Sequence, residues 1–333
     1  MSQILLLYPP PNSTTPPLQE HEWSLKEPQF QAELPVDRSQ PRPIEFAWER
    51  PTIEGDSLHY DLVISRSPDF QEPVLFRNLT TPSARVWNLQ IGTRYYWKVI
   101  AKRNTQELAA SSVGEFTTHP KAPRWLYIPE ITNVRDMGGW PLPDGQKTRQ
   151  GMVYRSSEMN SHLELTAKGK DILLNQLKIR TDIDLRGSEE VRKPALKNIR
   201  YLNVPIQPYA HIAEEQYQPG YRQIFQTLGD PTVYPVIVHC WGGADRTGTV
   251  IFLLEALLGV EKKWLIKDYE LTSLSIWGER RHTSEEFSAF LEVLSPLGKD
   301  IQEQVENYLK TIGVSEEEIT SIRKILINKE DVP

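Results

Sequence analysis

From residue 44 to residue 118, apolar and polar side chains change places in short runs. Ile44-Glu45-Phe46-Ala47-Trp48 alternates, as does part of residues 58–64, and 85–89 and 94–101 follow. Period-two alternation puts one set of side chains on one face of a strand. Pro51, Gly55-Asp56, Ser67-Pro68-Asp69, Pro73, Pro82 and Gly92 punctuate these runs as turns. Regularly spaced strands with turn signals predict an all-β antiparallel sandwich. Past a short linker, His119-Pro120-Lys121-Ala122-Pro123, the rhythm changes. Residues 179–185 and 235–239 read as buried strands, whereas 166–177, 247–258, 262–271, 284–294 and 299–312 read as helices. A last helix over 315–328 is announced by Ser315 as N-cap and Glu318 three positions on. Strands alternating with helices predict an α/β layer with a mainly parallel central sheet flanked by helices. Two domains are therefore expected: 1–120, a Pro-rich N terminus plus the sandwich, and 121–333, the α/β domain.

Composition narrows the classes of partner. Of 26 prolines, 10 fall within residues 1–51, which should run extended because each ring fixes φ and removes a donor. The charge is −6, and neither half is basic: 11 Lys/Arg stand against 14 Asp/Glu in 1–120, and 27 against 30 in 121–333. A duplex-binding protein would carry a basic face, so no nucleic acid is expected. The apolar run Ile4 to Tyr8 has no basic region before it and no Ala-x-Ala after it. Nothing reaches the ~20 apolar residues of a membrane span. With Cys240 as the single cysteine, an internal disulfide and a multi-cysteine metal site are both excluded. No cofactor and no metal are expected.

The segment that carries chemistry is His239-Cys240-Trp241-Gly242-Gly243-Ala244-Asp245-Arg246-Thr247-Gly248. It follows the apolar run 235–238 and precedes an apolar helix. A loop leading from a strand's C-terminal end into a helix N-terminus aims several backbone N–H groups at one spot, and the helix dipole favours an anion there. Gly242 and Gly243 let the backbone curl without Cβ clashes. Cys240 lies at that focus, where a thiolate is favoured over the thiol. Arg246, six positions later, can return a bidentate fork to two phosphoryl oxygens. Thiolate, amide ring and guanidinium together point to phosphoryl transfer through a cysteinyl-phosphate.

This segment resembles the cysteine-dependent protein tyrosine phosphatase superfamily, whose signature is His-Cys-x5-Arg-Ser/Thr-Gly. Asn133-Val134-Arg135-Asp136-Met137-Gly138-Gly139, Gly151-x-Val153-Tyr154-Arg155-Ser156-Ser157 and Asp182-Ile183-Asp184-Leu185-Arg186-Gly187-Ser188-Glu189-Glu190 resemble one bacterial branch of it, which includes secreted mycobacterial tyrosine and lipid phosphatases. Asp268-Tyr269-Glu270-Leu271-Thr272 fits that branch's helix after the active-site helix. The resemblance implies that Cys240 is the nucleophile and Arg246 the phosphate clamp. The backbone amides of Trp241, Gly242, Gly243, Ala244, Asp245 and Arg246 would complete the cradle. It also implies that Thr247 bonds the sulfur and that His239 supports the loop. Asp184 with Arg186, and Asp136 with Arg155, are expected to brace the loop as ion pairs. Upstream, Leu89-x-x-Gly92-Thr93-x-Tyr95-x-Trp97-x-Val99, after the Trp48 strand, resembles a fibronectin type III domain over roughly residues 35–118. That family implies a tyrosine bonded back to the chain, here Tyr95.

Expelling the leaving oxygen needs an acid, and hydrolysing the thiophosphate needs a base. Where many relatives keep an Asp on a separate loop, residues 204–211 hold no carboxylate. Asp245, inside the phosphate loop as in the bacterial branch, is the expected general acid/base. Asp184 is the reserve and Glu214 or Glu215 comes third. The loop has no lysine and gains an aromatic wall from Trp241, and the stretch from Trp277 to Arg281 could cap the pocket. Phosphotyrosyl protein is therefore the expected substrate, with phosphoserine and phosphothreonine as an extension. The alternative is an inositol phosphate or phosphoinositide phosphatase of the same mechanism, for which Lys168, Lys170, Arg192 and Lys193 would supply charge. A phosphate-binding module without catalysis is the third reading. The N-terminal domain is expected to bind a protein partner or act as a spacer. A reactive thiol suits the cytoplasm, and a removed leader would instead place the chain outside it.

Overall fold

A computed structural model describes residues 4–19, 36–53, 58–190 and 193–328. Arg192 and the expected turn at Gly55-Asp56 lie outside the described residues. Contacts divide the chain into two units, Met1–Glu20 with Pro41–Lys121 and His21–Gln40 with Ala122–Pro333. The change at Lys121 falls inside the expected linker. Residues 36–40, in contrast, are held in the second unit. Arg38 N–H donates to Leu274 O at 2.7 Å, and Ser39 Oγ accepts from Asn133 N–H at 2.9 Å.

The described elements of the first unit are strands: β1 (Leu6–Tyr8), β2 (Ser13–Thr14), β3 (Ile44–Trp48), β4 (His59–Ser65), β5 (Val74–Leu79), β6 (Ser83–Val86), β7 (Arg94–Arg103), β8 (Gln106–Ala110) and β9 (Gly114–Thr117). One sheet has the order β1-β3-β6; the other has β2-β9-β7-β4-β5, with β8 against β7. Along β7 the alternation works as read, with Tyr95, Trp97, Val99 and Ala101 buried between less buried neighbours. Phe46 of β3 meets Trp97 and Phe116 of the second sheet edge-on, with centroids 5.0 and 5.5 Å apart. Trp48 meets Tyr60 at 5.4 Å. Edge-to-face contacts suit the ring quadrupole. The hydroxyl of Tyr95 accepts from Gln90 N–H at 2.9 Å, a bond back to the preceding chain.

In the second unit β10 (Arg124–Trp125), β11 (Arg135–Asp136), β12 (Lys147–Thr148), β13 (Val153–Ser156), β14 (Thr181–Asp184), β15 (Arg200–Asn203), β16 (Val236–His239) and β17 (Ile327–Asn328) are the strands. The main sheet has the order β10-β11-β13-β16-β14-β15. Its last four strands are parallel, and β10 and β11 join antiparallel. The helices are α1 (Ala167–Asp171), α2 (Gln218–Leu228), α3 (Asp245–Leu257), α4 (Lys262–Leu271), α5 (Glu285–Leu294), α6 (Ile301–Thr311) and α7 (Glu316–Leu326). α3 is buried on nearly every side, as its run of apolar residues requires. Both halves of the Ser315–Glu318 capping box form.

The expected helix over 166–177 is interrupted: five α residues capped by Thr166 pass into a wider π turn, Ile172–Gln176. Besides the short strands β10, β11, β12, β13 and β17, which were not read from the sequence, β15 and α2 were illegible for reasons that can be named. β15 is an edge strand with one neighbour and weak alternation, and α2 starts on Pro219-Gly220, a pair that resembles a turn. Pro is tolerated there because first-turn N–H groups have no helical acceptor. No helix among the described residues is long and apolar enough to cross a membrane.

Candidate active site

β16 lies between two parallel neighbours, β13 and β14, and its C-terminal end delivers His239 and Cys240. The chain then curls through Trp241–Ala244 into α3. Gly243 has φ +62°, and a Cβ there would stand 2.3 Å from Ser156 O. A Cβ on Gly242 would meet the Trp277 ring at 2.7 Å. Both glycines are thus demanded by close approach, the first by its backbone angle as well.

The loop carbonyls are held from outside. Glu158 N–H donates to Trp241 O at 2.7 Å. Asn133 Nδ2 donates to Gly242 O at 3.0 Å and Gly243 O at 3.1 Å, and Arg155 Nη2 reaches Gly243 O at 2.6 Å. In a trans peptide the C=O and the following N–H point opposite ways. Pinning these three oxygens outward therefore turns the N–H groups of Gly242, Gly243 and Ala244 inward. The first helical bond of α3 runs from Gly248 N–H to Ala244 O, so the N–H groups of Asp245, Arg246 and Thr247 lack helical acceptors. The result is a ring of donors built for an anion.

Behind the ring sits a buried ionic network. The β11–β13 register sets Arg135 opposite Arg155, and Asp268 of α4 bridges them, accepting from Arg135 Nε at 2.7 Å and Arg155 Nη1 at 2.6 Å. Burial opposes the Asp268 charge, but the two guanidiniums outweigh it and hold its pKa below the ordinary value. Asn133 Oδ1 accepts from Arg135 Nη1. The expected pairing of Asp136 with Arg155 does not form. The register sets Asp136 opposite Tyr154, one residue out of step with Arg155, so the two side chains take opposite faces. Asp136 pairs instead with Arg124 at 2.9 Å. Asp184 and Arg186 do pair, through two bonds of 2.9 and 2.7 Å.

Cys240 is buried. His239 places Nε2 3.0 Å from Asp182, with Asp184 at 3.9 Å. Burial opposes an imidazolium, yet these two carboxylates prevail and raise its pKa to about 9. The Thr247 hydroxyl is buried and makes no hydrogen bond among the described residues, so the implied bond to sulfur is not formed here. Arg246 is gripped by Glu190, Nη1 to Oε2 at 2.7 Å and Nη2 to Oε1 at 3.0 Å.

Asp245 is tied as well. Arg280 donates to both its oxygens, at 2.7 and 2.9 Å, and the Tyr209 hydroxyl donates to Oδ1. Burial pushes the carboxyl up, but Arg280 and then Tyr209 outweigh it and lower its pKa. The stretch without a carboxylate, 204–211, thus contributes a phenol. At the front, His162 lies on Trp241 with centroids 4.3 Å apart, and Trp277 covers Gly242. Glu214 bonds His211 and Gln216 near the surface, and Glu215, Lys168, Lys170 and Lys193 are exposed.

The sequence profile of the tyrosine phosphatase family matches residues 126–328, more than half of the chain. The chain belongs to that family. A tyrosine-protein phosphatase of Nostoc commune is 29% identical over 133 residues, covering 32% of this chain and 44% of that protein. A putative tyrosine-protein phosphatase of Cupriavidus necator is 27% identical over 175 residues, covering 43% and 61%. The matches thus span about half the length of these curated relatives. Among solved structures, the core catalytic domain of the PP-IP phosphatase SIW14 from S. cerevisiae aligns over 55% of this chain and 93% of its own, at 16% identity and a TM-score of 0.31.

For this tyrosine phosphatase family member, sequence reasoning missed the roles of Asn133, Arg135, Asp268, Glu190, Tyr209 and Arg280. The first four stand inside quoted motifs, and that was the available signal. What each one touches depends on strand register and turn geometry, which the motifs do not carry.

Proposed function

We propose that this chain is a phosphomonoester hydrolase working through a cysteinyl-phosphate, with phosphotyrosyl protein as substrate. The observation that carries the reading is the inward ring of amides around Cys240 with Arg246 at its edge. The Cys240 thiolate attacks phosphorus, an S–P bond forms, and the P–O bond to tyrosine breaks with its electron pair on the phenolic oxygen, which takes a proton. Water then attacks phosphorus, the S–P bond breaks, and thiolate and inorganic phosphate are released as a base takes the water proton. Amides and guanidinium stabilise the charge on the transferring oxygens.

We assign the proton-transfer role to Asp245, with a consequence for specificity. Arg280 and Tyr209 store it as a carboxylate, which suits the base of the second step better than the acid of the first. A phenol, with a pKa of about 10, leaves with little help, and an alkyl alcohol does not. Poor acid assistance therefore favours tyrosine over serine. Trp241, His162 and Trp277 add an aromatic mouth, and the loop adds no lysine for extra phosphates.

The N-terminal unit, residues 1–120 as proposed here, is read as a fibronectin type III-like module that presents a protein partner or spaces the catalytic unit of residues 121–333. The Tyr95–Gln90 bond supports that reading.

The test compares wild type with Cys240→Ser at mildly acidic pH, on a phosphotyrosine peptide and on inositol hexakisphosphate. Peptide hydrolysis is expected, falling at least about a thousandfold in the variant. Preference for the inositol would replace the substrate assignment, and no turnover of either would leave a phosphate-binding module.

A further inference from the structure

We propose that Tyr209 is a positioning residue for Asp245: its hydroxyl fills the last acceptor site of Oδ1 and leaves Oδ2 as the oxygen that takes the proton. The inference rests on the acid/base role given to Asp245 above.

Each carboxylate oxygen offers two lone pairs. Oδ1 accepts from Arg280 Nε at 2.7 Å and from the Tyr209 hydroxyl, so both of its pairs are taken. Oδ2 accepts only from Arg280 Nη2, at 2.9 Å, among the described residues, and keeps one pair open. The two-point grip of Arg280 stops the carboxylate from exchanging its oxygens. In the second step the water oxygen bonds phosphorus and the S–P bond breaks with its electron pair on sulfur. The water proton then goes to Oδ2, from which solvent takes it.

The phenol is a fixed donor. A hydroxyl has one proton, and Tyr209 spends it on Asp245, so in its 2.8 Å contact with the Tyr269 hydroxyl it accepts. Both phenols thus donate toward the carboxylate. Burial, then Asp245 and Tyr269, raise the pKa of Tyr209, which keeps its proton across the working range. Tyr269 of α4 is packed in turn on Phe287 of α5, with centroids 4.4 Å apart. The Tyr209 backbone takes φ +59°, an angle that residues other than glycine seldom adopt. Its N–H donates to Thr249 Oγ1 at 3.0 Å, and the Thr249 hydroxyl donates to Asp245 O at 2.9 Å. One side chain of α3 therefore ties the backbone of the phenol to that of the carboxylate. An uncommon backbone angle held in this way marks a residue placed for its side chain. The other charged groups acting on Asp245 are Arg280 and, on its own helix, Arg246.

The experiment uses the full chain as wild type, Tyr209→Phe and Asp245→Asn. Three readouts are taken: p-nitrophenol release from p-nitrophenyl phosphate before and during the steady state, its pH profile, and tungstate protection of Cys240 from iodoacetate. Phenylalanine keeps the ring and its packing and removes the donor. Expected in Tyr209→Phe is a steady state slower by about tenfold to a hundredfold. A burst of the first p-nitrophenol should precede it, because hydrolysis of the S–P bond needs the base and its formation does not. The acid limb of the profile should move to higher pH, since a carboxylate that loses a donor protonates more readily. Tungstate protection should not change, which separates a misaimed carboxylate from a disordered loop. A faster steady state in Tyr209→Phe would make Oδ1 the working oxygen and Tyr209 its block, and would overturn the proposal. So would a variant that matches an active wild type, a slower variant without a burst, or lost tungstate protection. An Asp245→Asn as active as wild type would remove the acid/base role and this inference with it, leaving the Cys240 chemistry standing. A wild type that neither turns over nor is protected by tungstate would overturn the phosphatase reading as well.

Discussion

The two units of this chain bury different things. In the first, rings and aliphatic groups fill the interior, and among the described residues Asp61 is the buried charged side chain, answered by Lys102 at 2.7 Å. In the second, Arg135, Arg155, Arg186, Asp182, Asp184 and Asp268 are all buried, ranged around one loop. Desolvating ions costs several kcal/mol each, and apolar packing of the same volume is often at least as stable. The first unit is held mainly by apolar packing. The second keeps its charges because they fix carbonyl and guanidinium directions that hydrocarbon cannot fix.

The most forceful way to break that contrast is Asp268→Ala. It would leave Arg135 and Arg155 facing each other, buried, across the ladder. Removing one member of a buried network destabilises by about 3–5 kcal/mol. The second unit's thermal transition should fall accordingly, and hydrolysis should be lost because Arg155, which donates to Gly243 O, is no longer oriented by Asp268. Unchanged melting and turnover would show that the buried charges are idle.

A smaller perturbation sharpens the other side. Phe46→Leu removes the edge contacts to Trp97 and Phe116 while keeping an apolar residue in the core. A cost of about 1–2 kcal/mol is expected in the first unit's transition, with turnover unchanged. Turnover falling in parallel would mean that the second unit's activity depends on the first unit after all.

How much could be read in advance follows the same division. Alternation at Tyr95–Ala101 is a local property, so β3, β4 and β7 were legible in the first unit, whereas β5, β8 and β9 were not. The loop from 239 to 248 was legible because the residues proposed as nucleophile, amide cradle and clamp are contiguous there. Its bracing was not, since Asn133, Arg155 and Asp268 lie on three elements joined by the sheet. The misassigned partner of Arg155 shows the limit. Asp136 and Arg155 look complementary in sequence, and a register of one residue puts them on opposite faces. Arg280 was visible only as part of a loop that could cap the pocket, and its grip on Asp245 needed the fold.

The mildest test is a pH titration, and its sign follows from His239. Held between Asp182 and Asp184, its imidazolium has a folded pKa raised to about 9, against about 6.5 in an unfolded chain. A group whose folded pKa is raised contributes fully below its unfolded value and loses that contribution as pH climbs through the folded one. The second unit should therefore weaken between about pH 6.5 and 9, by about 1 kcal/mol per pH unit over the steep part. Asp184 works in the opposite sense. Burial raises its pKa, but His239 and Arg186 outweigh that and lower it, so its contribution is present at neutral pH and lost only on acidification. The first unit has no buried histidine among its described residues, and its transition should stay flat across the alkaline window. Melting followed by calorimetry from pH 6.5 to 9 reads both transitions at once. In His239→Asn the alkaline slope should vanish from the second transition. A slope that survived would belong to another group and would remove the charged histidine from the support of the loop.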